Sequence, residues 1–107
     1  MDKHVKTFVY CIQERSREAY APIKIGIAQD PQARMINLQV GNPMRLAVYG
    51  LIGPFTELEA GMIESDLHVA MSKHRIRGEW FTGNAVHLFD EAQLKHGVHL
   101  DQVTLTA

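Results

Sequence analysis

The sequence predicts an α+β fold in which three strands carry helices packed against them. Three observations predict it. Ile23-Lys24-Ile25-Gly26-Ile27 alternates strictly between apolar and other residues, the period of a half-buried strand, and the apolar run Phe8-Val9-Tyr10-Cys11-Ile12 precedes it. Asp30-Pro31 reads as an N-cap followed by the first helical residue, where the missing proline N–H costs nothing. Thr56, with Glu59 three residues on, is a capping box ahead of a longer segment of helical periodicity.

In order, the first strand covers about Thr7 to Gln13, with Phe8, Tyr10 and Ile12 on one face. Glu14 to Pro22 is polar and ends in proline, so it is a loop or a long hairpin connection. The second strand, Ile23 to Ile27, puts its three isoleucines on one side and Lys24 with Gly26 on the other. A helix from Gln32 to Val40 stops at Gly41-Asn42-Pro43, a glycine with a proline close behind. Arg45 to Ile52 is a third strand, apolar on both faces and so covered on both, and Gly53-Pro54 is a turn. The second helix runs from Glu57 to about His74, with Ala60, Ile63, Leu67 and Met71 as its buried stripe. Glu64 and His68 lie one turn apart beside that stripe. Arg75 to Arg77 is a basic connection into Gly78-Glu79-Trp80-Phe81. A last helix spans about Asn84 to His96 before Gly97, and Val98 to Ala107 alternates weakly enough to be an edge strand or a frayed tail.

At 107 residues the chain is expected to be one domain, and 46% hydrophobic with 21% charged residues is the balance of a globular protein. No apolar run reaches membrane-spanning length and the N-terminus lacks a signal-peptide core, so no membrane partner is expected. One cysteine, Cys11, allows no internal disulfide, which makes a cytoplasmic location the default. A net charge of -1 argues against coating nucleic acid by bulk electrostatics. Residues 1–50 hold seven Lys/Arg against four acids, and the rest holds four against eight. Opposite halves meeting at a cleft fit a phosphate-plus-metal site, and they fit an ordinary mixed surface equally well.

Taken singly, the polar residues have plain readings. Lys24 is a solvated strand lysine, Arg34 a helix-surface arginine, Glu64 a solvated helix glutamate, and Tyr10 a core tyrosine beside Phe8 and Ile12. Six histidines and Cys11 raise zinc, but no pair has finger-type spacing.

Together they carry a resemblance. Val9-Tyr10, then Lys24-Ile25-Gly26, then Arg34 early in a helix, then Glu64 in a later helix resemble, in order, the motifs of the GIY-YIG nuclease superfamily. Glu64-Ser65-Asp66-Leu67-His68 and Gly78-Glu79-Trp80-Phe81 resemble its small branch named for a meiotically up-regulated gene, which has many phage members. The match spans residues 7 to 82. The first motif lacks its glycine and isoleucine, and Lys24 stands where the second tyrosine would be, as is usual in that branch.

The resemblance implies a three-stranded antiparallel sheet flanked by helices and a DNA endonuclease hydrolysing phosphodiesters with Mg²⁺ or Mn²⁺. It implies that Glu64 holds the metal, since Mg²⁺ needs only one or two carboxylates with water and phosphate. Arg34 would stabilise transition-state charge with its donor fork. Tyr10 and Lys24 would prepare the attacking water, because a nearby cation favours the phenolate. Gly26 would give the substrate clearance, and His68 would assist the metal or bind phosphate. Trp80 and Phe81 are either base-stacking or core residues, and Glu79 is either a second acid near the metal or a partner of Arg75 or Arg77. With no appended recognition module, specificity would need a homodimer or a partner protein. The alternatives are a catalytically silent domain of the same type that binds nucleic acid or protein, and a small-ligand or regulatory domain.

Overall fold

β1 (Thr7–Glu14) and β2 (Ile23–Ala28) form the centre of a sheet because both sequences bury side chains on both faces. They pair antiparallel, with Tyr10 opposite Gly26 and Ile12 opposite Lys24. The structure is a computed structural model and describes residues 5–15 and 20–99. The connection from Glu14 to Pro22 is therefore described only at its ends.

The other edge of β1 pairs with β3 (Leu46–Phe55), while β2 continues into β5 (Trp80–Phe81) and then β4 (Arg75–Arg77). The strand order is β3-β1-β2-β5-β4, and every neighbouring pair is antiparallel. The sheet thus has five strands, not three. The extra hairpin is made of three-residue and two-residue strands turned at Gly78, whose φ of 55° favours glycine. Such strands are too short for alternation to register, so Arg75 to Arg77 reads as a connection until its pairing is seen.

A second correction concerns Gly53-Pro54, expected to be a turn. Both residues lie inside β3. β3 is an edge strand, where a proline that cannot donate to a ladder is tolerated. Outside it, Val98 forms a one-residue parallel bridge to Gly53, with the His99 N–H donating to the Gly53 carbonyl at 2.7 Å. That is the described part of the expected tail strand; residues 100–107 lie outside the described residues.

The helices cover opposite faces. α1 (Pro31–Gln39) is capped as its sequence requires, the Asp30 carboxylate accepting from the Ala33 N–H at 3.0 Å. Its Met35 and Leu38 pack on Tyr10, Ile12 and Leu46. α2 (Glu57–Ala70) starts at Thr56, whose hydroxyl accepts from the Glu59 N–H at 3.2 Å and donates to the Glu59 carboxylate at 2.9 Å. Its stripe of Ala60, Ile63 and Leu67, followed by Met71, is buried against Val9, Cys11 and Ile25 on the other face. The helix ends four residues before His74, and a 3₁₀ turn over Ser72–His74 completes the segment. α3 (Val86–His96) follows a 3₁₀ turn at Gly83–Ala85 and inserts Phe89 into the same core. Gly97, with φ 86°, stops it.

One consequence of the short β5 governs the site. It pairs only with Ile23 and Lys24, so β2 beyond Lys24 presents an open edge.

Candidate functional site

The N–H and C=O of one strand residue point the same way, so Ile25 aims both groups at the gap where β5 has ended. Its N–H donates to the Glu79 carbonyl at 3.1 Å, which fixes the turn between β4 and β5. Its carbonyl lies 3.0 Å from His68 Nε2. A carbonyl can only accept, so Nε2 carries the proton in this bond and donates. The imidazole is further held by packing against Phe81, ring centroids 5.2 Å apart. One backbone residue thus places two side chains from distant parts of the chain.

Glu64 joins them from the preceding turn of α2. Glu64, His68 and Glu79 each offer a donor atom within 4.8 Å of the others'. Lys24 closes the group: its Nζ donates to Glu79 Oε1 at 2.8 Å and lies 5.9 Å from the centre of the Trp80 ring. Lys24 is nearly buried, with 8% of its surface exposed, so this contact replaces lost hydration.

The two carboxyls experience different fields. Partial burial and the facing Glu79 push Glu64 above the usual carboxylate range, with His68 and Lys24 opposing. Burial also pushes Glu79 up, but its hydrogen bond and attraction to Lys24, with His68, outweigh that and leave it below the usual range. Two carboxyls and an imidazole facing one another are donor types that could hold a divalent cation. An open groove of about 730 Å³ runs along α2 beside Glu64, lined by Ile27, Gly61 and Ser65 among others.

The remaining expected residues lie around this cluster rather than in it. Tyr10 and Gly26 are cross-strand partners on the same face as Lys24, and a side chain at Gly26 would collide with the Tyr10 ring. Tyr10 is 1% exposed and packs with Ile12 and Leu46. The ammonium of Lys24 is bonded to Glu79, so the expected Tyr10–Lys24 couple is a matter of shared face. Arg34 is exposed on α1, across the sheet from Glu64. Glu79 pairs with neither Arg75 nor Arg77, and Arg75 stands over the Phe81 ring at 5.2 Å. Phe81 is a core residue, Trp80 is half-buried, and the buried Cys11 thiol, pushed up by burial and Asp90, is a poor zinc ligand.

The family model of the T5orf172 domain matches residues 7–99, nearly the whole described chain. The chain belongs to the T5orf172 domain family. That match takes in every strand and helix and each residue of the cluster, so the site is part of the T5orf172 domain itself. Comparison with curated proteins and with solved structures gives no match. No described helix is long and apolar enough to cross a membrane.

Proposed function

We propose that this T5orf172 domain is a divalent-metal-dependent DNA endonuclease of GIY-YIG type, close to the small, phage-rich branch that its motifs resemble. The observation that carries the reading is the meeting of Glu64, His68 and Glu79, with Lys24 paired to Glu79, at the open end of β2. Residues that are ordinary surface groups when taken singly are here drawn to one edge, beside a groove.

Mg²⁺ or Mn²⁺ held by Glu64 would neutralise the scissile phosphate and favour an attacking hydroxide. Lys24 then supplies positive charge beside the phosphate, from a strand that cannot move without disturbing the sheet. The Tyr10 hydroxyl, over Gly26 on the same face, orients the attacking water. Arg34, exposed on α1, would approach the phosphate from the opposite face of the sheet and stabilise the developing charge. Specificity comes from a second copy or a partner, since recognition of DNA sequence needs base contacts that this small domain is poorly equipped to make.

A second reading has one observation in its favour. Tyr10 is packed as a core residue, which suits a catalytically silent domain that binds DNA or protein without cutting. Incubation with supercoiled plasmid and with branched DNA separates the two. The enzyme nicks with Mg²⁺ or Mn²⁺ and stops with EDTA, whereas the silent domain shifts the DNA in a gel and leaves it intact.

A further inference from the structure

We propose that Glu64, His68 and Glu79 together form a three-ligand site for a divalent transition metal, preferring Mn²⁺ or Zn²⁺ over Mg²⁺. The inference deepens the nuclease reading by naming two further ligands and the class of ion, and rests on that reading only for its catalytic consequence.

The geometry argues first. Ligand bonds of about 2.0–2.2 Å put neighbouring donors around one ion about 3.0–3.6 Å apart. Donor atoms already within 4.8 Å of one another close on it by side-chain rotation of about an ångström, with the backbone unmoved. Glu64 and His68 share one face of α2, so their relative placement is fixed by the helix. Glu79 comes from the β4–β5 turn, tied down through its carbonyl to the Ile25 N–H.

The hydrogen bonding of His68 argues independently. Nε2–H is committed to the Ile25 carbonyl, which leaves Nδ1 as the nitrogen with a lone pair. A metal-ligating histidine typically has its other ring nitrogen bonded to a backbone carbonyl or a carboxylate, which sets tautomer and ring orientation. Here the carbonyl is available because β5 is two residues long.

Charge completes the case. Lys24 is paired with Glu79 alone, so Glu64 faces a second carboxyl with no ion pair of its own among the described residues, and the metal-free cluster is short of positive charge. An imidazole in the set favours Mn²⁺ and Zn²⁺, whereas Mg²⁺ prefers an all-oxygen shell rich in water.

The test is ion binding by the whole chain without DNA, followed by Mn²⁺ electron paramagnetic resonance with Mg²⁺ as competitor. Wild type should bind one Mn²⁺, and Glu64→Gln, Glu79→Gln and His68→Asn should each weaken binding roughly tenfold or more. Mg²⁺ should compete at least about tenfold less well than its concentration would give for equal affinity. Far-UV circular dichroism checks each variant, and Glu79→Gln, in a half-exposed turn, is the one to decide if His68→Asn fails to fold. Wild-type Mn²⁺ affinity in folded Glu79→Gln, or equal competition by Mg²⁺, would overturn the proposal. A cleavage assay on the same samples keeps the two readings apart. Ligand-dependent Mn²⁺ binding without cutting supports the site and removes the nuclease. Cutting by Glu79→Gln at the wild-type rate keeps the nuclease and removes the three-ligand site.

Discussion

Glu64 and Glu79 are neighbours whose carboxyls are displaced in opposite directions, and the sign of each displacement gives a stability test. Glu64 is raised from its ordinary 4.5 by burial and by Glu79, so ionising it penalises the folded state. That penalty is absent below pH 4.5, where both states are protonated, and is fully present above the folded value. Glu79 is lowered because Lys24 outweighs its burial, so it stabilises above pH 4.5 and that contribution is lost as pH falls through its folded value. In EDTA at pH 7, Glu64→Gln should therefore melt no lower than wild type, and Glu79→Gln should melt lower. Both differences should fade in acid, and both should stay under about 1 kcal/mol because these side chains are half-exposed. Thermal melts between pH 4 and 8 check this; a strongly destabilised Glu64→Gln at pH 7 would mean that its carboxylate has a cation partner in the metal-free protein. Much of the cluster is legible in the residues: Glu64 and His68 from helical spacing, Lys24 from strand alternation. Glu79 was not assignable, because its partner Lys24 lies 55 residues away and only the sheet brings them together.

The elements differ in how openly their sequences announce them. α1 and α2 carry their own start signals in Asp30-Pro31 and Thr56, and both caps form as the residues dictate. β4 and β5 carry none, being held by pairing and by the burial of Phe81, and the sheet edge that makes the site depends on where they end. β3 hid its last residues behind Gly53-Pro54, a turn signal that an edge strand overrides. Two substitutions test the packing of these elements. In β2, a Cβ at position 26 would lie 2.6 Å from Tyr10 Cζ, and that ring is buried. Gly26→Ala should thus cost about 1–3 kcal/mol, the usual range for overpacking, in a denaturant titration; wild-type stability would mean that Tyr10 is free to move. In α2, Leu67→Ala should cost about 2–5 kcal/mol, as a buried leucine does. Leu58→Ala, 76% exposed on the outer face, should stay within about 0.5 kcal/mol. Equal losses from the two would mean that the outer face of α2 is covered in solution.

At the scale of the whole molecule, charge bears on the proposed contact with DNA. A net charge of -1 leaves little for tight binding by phosphate contacts alone. A salt titration with the isolated chain should give weak binding that varies little between unrelated sequences; tight, selective binding by a monomer would contradict this. The proposed function makes the open end of β2 a metal-dependent hydrolytic site with Glu64 at its heart. Glu64→Gln keeps the shape and hydrogen bonding of the side chain and removes its charge, which separates folding from metal binding. The decisive measurement is nicking of plasmid and branched DNA by wild type and by folded Glu64→Gln, side by side, with Mn²⁺ or Mg²⁺ and then with EDTA. Wild type should nick in a metal-dependent way and the variant should not, with the variant's DNA binding retained. Cutting by Glu64→Gln at the wild-type rate, or cutting that survives EDTA, would contradict it.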